Sequence, residues 1–444
     1  MRQLTLPSLG QKVHSPQAED NRVRPEDMPV HDWYRFVLSF PPHLVRDYLS
    51  RFLGAVEGAV ILDPFCGTGT TLVEAQKLGG EAVGVDSNPV CQFAARVKTD
   101  WTPDPDGLVR HARAIGEATL AELKAAGIDD LTLRFPPTVE EMREFPPETQ
   151  RLLIKHSISP KPLHKVLVLM EQMQRAGDSP YRDHERLALA TTLVRTIGNL
   201  RFGPEVGVGK LKEDVPVVPT WLARVERMAE DLRRLPRRAY RQARVLLGDA
   251  RDLRGTIGEG TVDVVFTSPP YPNEKDYTRT TRMELVFLGF ARNRAELRAL
   301  KQRFVRSNTR GLYKGDADER WVQDHPSIVG LAEEIERRRV EMGKTSGFER
   351  NYARVVLNYF GGMKRHLANL RPLLKPGAWL AYVVGDQASF LRVEIRTGLL
   401  LAEIAESLGY ETVAIDLFRE RFSTATRSFL REEVVVLRWS GGVA

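Results

Sequence analysis

Short apolar runs alternate with amphipathic stretches along this chain, and the first of them arrive in the order strand, helix, strand. Ala59 to Asp63 is an apolar run that ends in Pro-Phe-Cys-Gly-Thr-Gly-Thr and passes into the helical pattern Thr71 to Leu78, which Gly79 and Gly80 stop. Glu81 to Asp86 reads as a second strand, so about thirty residues make a parallel crossover unit, the opening of a doubly wound α/β sheet. Ahead of it, Pro41 and Pro42 interrupt an amphipathic stretch that begins at Trp33 and start a helix at about His43. The strand rhythm resumes with residues 243–250 and 261–271 and returns after a long helix over Phe348 to Leu370 with the run Lys375 to Asp386. A helix from about Arg396 to Gly409 and strands over 411–419 and 432–439 predict an antiparallel hairpin at the sheet edge.

The α/β pattern therefore occupies residues 33–99, 241–290 and 348–444. Residues 1–32 are polar and dotted with proline and read as an N-terminal arm. Residues 100–240 form a mainly helical insertion, in which Thr138 and Glu141 have the spacing of a capping box. Residues 291–347 form a second insertion, and its first part is basic: eight Lys or Arg stand between 292 and 314 (Arg292, Arg294, Arg298, Lys301, Arg303, Arg306, Arg310, Lys314) against one acid, Glu296. Such a run is a candidate for phosphate contact and equally for a solvated helix face. Residues 224–244, with eight arginines and three acids, are a weaker rival.

Composition narrows the class. The 444 residues are 42% hydrophobic and 28% charged, an ordinary globular balance with room for more than one core. Apolar stretches such as Ala59–Leu62 and Val262–Phe266 fall far short of the roughly 20 residues that cross a bilayer. The opening Met-Arg-Gln-Leu-Thr-Leu-Pro has no apolar signal region, so the expectation is a cytoplasmic protein without membrane contact. Two cysteines, Cys66 and Cys91, support neither a disulfide framework nor a cysteine-rich zinc site, and no metal is expected. A net charge of +7 favours a polyanionic partner.

Two constellations carry chemistry. In the first, Asp63-Pro64-Phe65-Cys66-Gly67-Thr68-Gly69-Thr70, the glycines stand where a strand turns into a helix, the place where open α/β sheets bind ligands. Gly67 and Gly69 permit positive φ and close backbone approach, while the Asp63 carboxylate repels phosphate and suits a cationic amino group. No Gly-Lys-Ser/Thr ending is present, so a phosphate loop is excluded. Asp86, about twenty residues on, can accept from both hydroxyls of a ribose, or cap the next helix with Ser87 and Asn88. Asp249 ends a neighbouring strand, where its carboxylate could accept from an adenine amino group.

The second constellation is Thr267-Ser268-Pro269-Pro270-Tyr271. Two prolines fix φ and remove N–H donors, so this loop is stiff and its carbonyls need outside donors. Ser268 Oγ and the Pro269 carbonyl suit a planar amine, and Tyr271 suits the base that bears it.

The pair Asp-Pro-Phe-Cys-Gly-Thr-Gly-Thr and Thr-Ser-Pro-Pro-Tyr resembles the signature of amino-group DNA methyltransferases that use S-adenosylmethionine. The resemblance implies a Rossmann-like, seven-stranded doubly wound sheet over roughly 33–99, 243–290 and 348–439. It implies that Phe65, Gly67 and Gly69, within the loop Asp63–Thr70, line the methionine end of the cofactor with Asp63 near its amino group. Asp86 would then hold the ribose and Asp249 the adenine. Phe40-Pro41-Pro42 is similar to the family's additional cofactor motif. A serine before Pro-Pro-Tyr is similar to enzymes of cytosine N4, with adenine N6 as the alternative, and RNA amino-group methylation or non-catalytic nucleic-acid binding as further ones. Methylation of a ring carbon is excluded, since neither cysteine stands in a Pro-Cys loop. The implied partner is double-stranded DNA with a specific target sequence, with a cognate restriction endonuclease beside it. Here the glycine loop precedes the proline loop by 205 residues, the reverse of many cytosine amino-methylases, so either insertion is a candidate for reading sequence.

Overall fold

The computed structural model describes residues 23–36, 39–136, 142–203, 205–235, 241–423 and 426–442. The first 22 residues of the arm, the Thr138–Glu141 pair and the stretch 236–240 of the second arginine run lie outside them. Among the described residues nine strands follow in chain order: β1 (Val60–Asp63), β2 (Glu81–Asp86), β3 (Leu200–Phe202), β4 (Val206–Val208), β5 (Arg244–Leu247), β6 (Val262–Thr267), β7 (Leu374–Gly385), β8 (Tyr410–Ser423) and β9 (Ser428–Trp439). Seven of them form one sheet in the order β5-β2-β1-β6-β7-β9-β8. The first five are parallel, and β9 runs antiparallel to both β7 and β8. The fold is thus the Rossmann-like α/β sheet expected from the sequence, with its hairpin at one edge.

Alternation along the strands explains why helices cover both faces. Ile61, Val264 and Phe266 face a cluster that contains Leu44, Leu49 and Leu72, whereas Leu62 and Val265 face one that contains Val356, Phe360 and Leu401. The helices Pro42–Leu53 and Thr70–Lys77 therefore lie on one side, and Tyr352–Leu370 and Thr397–Ser407 on the other. Registers Asp63↔Gly84, Asp86↔Leu247 and Thr267↔Tyr382 bring the carboxyl ends of adjacent strands to one edge. The chain leaves β1 towards β2 on one side and returns to β6 on the other, and the crevice at that reversal is where such sheets bind ligands.

Between residues 100 and 240 the helices Pro105–Ala125, Pro160–Arg175, Arg182–Thr192 and Val218–Arg234 share one buried cluster, to which Trp33 belongs. Trp33 Nε1 donates to Asp231 Oδ2 at 2.8 Å, so the chain just ahead of the glycine loop is anchored on the helical region. The antiparallel pair β3–β4 also arises within this stretch, and the sequence pattern gave no sign of it. Of the second insertion, Arg294–Gln302 and Pro326–Glu341 are helical, and the latter buries Ile328 and Ile335 in the same cluster as Tyr352–Leu370.

Candidate active site

β1 ends at Asp63, and the chain turns sharply to begin the helix Thr70–Lys77. Gly67 and Gly69 both have positive φ, +49° and +83°. They differ in what surrounds them. A Cβ on Gly67 would meet nothing within 4 Å, whereas one on Gly69 would sit 3.0 Å from Cα and Cβ of Ala95, in the helix Pro89–Lys98. Gly69→Ala is accordingly expected to combine left-handed strain with a backbone clash and to cost about 2 kcal/mol or more of stability. Gly67→Ala carries the conformational cost alone. Denaturant midpoints of the two variants check the order.

The loop is tied to its neighbour through Asp86. The Gly67 amide donates to Asp86 Oδ2 at 2.8 Å and the Asn88 amide to Oδ1 at 2.7 Å. Each carboxylate oxygen keeps a free lone pair for a further donor. The helix cap falls to Asn88, whose side chain accepts from the Val90 amide, with Pro89 in the first turn. Burial raises Asp86 to about 6. Asp63 is 1% exposed, and burial raises it to about 7 against hydrogen bonds that pull the other way. Its Oδ1 accepts from Thr267 Oγ1 at 2.6 Å and from the Phe65 amide at 3.1 Å, while Oδ2 has no partner among the described residues.

The Thr267–Asp63 bond joins the two sequence motifs directly, 204 residues apart. Beyond it the proline loop rises from the end of β6. Ser268 Oγ donates to the Val383 carbonyl of β7 at 3.0 Å. Tyr271 packs over Gly385, where an added Cβ would lie 3.1 Å from the ring. Phe65, Cys66, Gly67, Thr70, Asp86, Ser268, Pro269, Pro270 and Tyr271 line one cavity of about 650 Å³. Phe40 lines it too and meets Phe266 edge-to-face at 5.5 Å.

The remaining residues singled out in the sequence stand elsewhere. Pro41 lines an adjoining cavity of about 300 Å³, which also touches Phe40 and Thr70. Asp63, Pro64 and Gly69 shape the loop without lining the main cavity. Asp249 does not line it either. Both its oxygens accept from the guanidinium of Arg251, at 2.7–3.1 Å, and Arg251 in turn bonds Asp318, so the carboxylate is engaged in an internal ion pair. The adenine contact inferred for Asp249 is not what the geometry provides.

The basic run is likewise partly internal. Arg306 is 4% exposed and paired with Asp316, and Lys301 is paired with Asp276. Arg292, Arg294, Arg298, Arg303, Arg310 and Lys314 remain exposed. In the second arginine run, Arg224, Arg233 and Arg241 pair with Asp32, Asp106 and Glu81.

Several cavity residues had no signal in the sequence. Glu205 comes from the connection between β3 and β4, and Arg419, Arg421 and Glu432 from the β8–β9 hairpin. Asn273 and Lys275 lie in the segment Pro272 to Tyr277, directly after the proline loop, and their signal is that adjacency.

A family model described as DNA methylase of the N6/N4 type matches residues 12–95, a span that holds Phe40, the glycine loop and Asp86. The Type II methyltransferase M.BsoBI of Geobacillus stearothermophilus is 25% identical over 475 aligned positions, covering 98% of this chain and 87% of that protein. The Type II methyltransferase M.AvaI of Nostoc is 23% identical over 462, covering 97% and 89%. The Type II methyltransferase M.MjaII of Methanocaldococcus jannaschii is 38% identical over 69 residues, 16% of this chain and 13% of that one. Among solved structures, an rRNA methyltransferase of Streptomyces viridochromogenes superposes with a TM-score of 0.29 at 11% identity, covering 96% and 91% of the two chains.

Proposed function

We propose that this chain, which matches an N6/N4 DNA methylase model over residues 12–95, transfers a methyl group from S-adenosylmethionine to the N4 amino group of a cytosine extruded from duplex DNA. The observation that carries this reading is the Ser268–Val383 hydrogen bond inside a cavity shared with the glycine loop. A hydroxyl has one proton, and Ser268 gives it to the Val383 carbonyl. Its lone pairs are therefore left to accept, which is what an amine needs.

The residues present fit the cofactor. Asp63 Oδ2, buried beneath the turn 65–67 that lines the cavity, has no partner among the described residues, as befits a group that draws in a cationic amino group, and the position of a Cβ on Gly67 is open space. Asp86 keeps lone pairs for ribose hydroxyls. Bound S-adenosylmethionine supplies an electrophilic methyl group on a sulfonium. No residue needs to form a covalent bond to the base.

An exocyclic amine conjugated with its ring is planar and a poor nucleophile. Ser268 Oγ and the Pro269 carbonyl accept its two hydrogens and draw the nitrogen towards tetrahedral geometry, with the lone pair held towards the methyl donor. A base inside the duplex cannot reach this loop, so it enters the cavity extruded, and the Tyr271 ring replaces part of the lost stacking. Tyr271→Ala is expected to weaken binding of target DNA by about 1–3 kcal/mol while leaving cofactor affinity unchanged. Titration of each ligand by calorimetry checks the separation.

The exposed arginines of 292–314 provide phosphate contact beside the cavity. Like the type II enzymes named above, the protein would act in restriction–modification beside an endonuclease of the same target sequence. The test is the modified base. Mass analysis of nucleosides from DNA of cells producing the protein should show 4-methylcytosine. Finding 6-methyladenine instead would transfer the reading to adenine, and finding methylated RNA bases alone would move it to RNA.

A further inference from the structure

We infer that Lys275 is the residue by which the cavity selects cytosine over adenine, by donating a hydrogen bond to the 2-oxo group of the extruded base. The inference rests on the cytosine reading above and adds to it the group that is read.

The cavity holds three cationic side chains that its lining makes available, and two are already engaged. Arg419 donates to Glu432 Oε2, and Arg421 donates to the Asp386 carbonyl and to Gln387 Oε1. Lys275 lines the same cavity, half-buried, and its Nζ makes no hydrogen bond or ion pair to the described residues. Burial, and Arg421 nearby, lower its pKa, while Glu205 and Glu432 oppose that. Its ammonium is therefore free to donate to a ligand that enters the cavity and displaces water from it.

Its position is fixed by the backbone rather than by its own contacts. The Glu274 amide donates to the Ser307 carbonyl at 3.1 Å, and Asn308 Nδ2 donates to the Lys275 carbonyl at 2.9 Å. The Glu274 carboxylate accepts from both the amide and the hydroxyl of Thr309, at 2.9 and 2.8 Å. Glu274 has φ +66°, a left-handed conformation that these four bonds maintain. Asp276, next in the chain, caps a helical turn and holds Lys301. With both neighbours and its own carbonyl tied to residues 301–309, the Lys275 side chain is left directed at the cavity, four residues beyond Tyr271.

The chemistry of the two bases then decides what such a donor distinguishes. Anchored through their amino groups at Ser268 and Pro269, both present a ring nitrogen acceptor next along the same edge, so a donor there would treat them alike. One atom further, cytosine carries a carbonyl oxygen and adenine a C–H. A donor facing that place is satisfied by cytosine and left buried and unpaired by adenine, the situation in which sites discriminate most strongly.

The experiment compares single-turnover methylation of a duplex bearing the mapped target cytosine with one bearing a cytosine analogue that lacks the 2-oxo group. It uses the full chain and its Lys275→Met and Lys275→Arg variants. The wild-type enzyme should lose about 10- to 100-fold on the analogue and Lys275→Met less than about threefold, with Lys275→Arg retaining part of the discrimination. Equal rates of the wild type on both duplexes would overturn the inference without any variant. An unchanged discrimination in Lys275→Met, with cofactor binding intact, would overturn it as well. Failure of the cytosine reading is separately visible, as 6-methyladenine without 4-methylcytosine in cellular DNA.

Discussion

Ser268→Ala is expected to lower the rate of methyl transfer by about 10²–10³, the scale of removing one preorganised polar group that acts on the reacting centre. Cofactor affinity should not change, because Ser268 bonds neither Asp63 nor Asp86; its hydroxyl donates to the Val383 carbonyl and lies beside the Tyr271 hydroxyl. The residual rate belongs to the Pro269 carbonyl and to the proximity of bound reactants. Single-turnover kinetics at saturating DNA and cofactor isolate the step. A variant that methylates at the wild-type rate would remove Ser268 from the chemistry and leave it as a tether between β6 and β7.

Asp63→Asn is expected to do two opposite things. Loss of a carboxylate opposite a cationic amino group should weaken binding of S-adenosylmethionine by about 10- to 100-fold, the measure of one charge-assisted hydrogen bond. The free protein should become more stable at pH 8, by a few degrees in thermal midpoint, gain less at pH 5 and gain nothing below the unfolded pKa of 3.8. Burial raises Asp63 to about 7 in the fold, above the ordinary carboxylate value of 3.8. The stability it contributes is thus fully present below the unfolded pKa and is lost as pH rises through 7, where the buried group must ionise. Asparagine removes that ionisation and keeps an oxygen for Thr267 and the Phe65 amide. The same titration governs binding: cofactor affinity of the wild type should fall about tenfold between pH 8 and pH 6, and that slope should flatten in Asp63→Asn. Calorimetric titrations across this range, with thermal melts of the free protein, measure both.

The parallel sheet was legible because its strands are short apolar runs that end in polar turns, and the site because the two motifs fall at the ends of such runs. Val60–Asp63, Glu81–Asp86 and Val262–Thr267 lie within a residue of the predicted starts, and Thr267–Asp63 shows why both motifs had to be present: one anchors the other. Strand-end position alone says nothing of a competing cation two residues away, and at Asp249 that cation is Arg251. Charge counted along the chain likewise does not reveal that Arg306 and Lys301 are already paired. Glu205 and the pair β3–β4 were invisible because a three-residue strand has too little periodicity to stand out.

Sequence by itself determined the sheet, the glycine turn and the stiff proline loop, since each follows from local rules: alternation along a strand, positive φ without a Cβ, and fixed φ without an amide proton. Tertiary structure alone decided which polar groups remain available. Asp63 Oδ2 is left unpaired, Asp249 is occupied, Ser268 has given away its proton, and Lys275 faces the cavity without a partner. Those outcomes depend on contacts between residues up to about two hundred positions apart, which no local rule along the chain records.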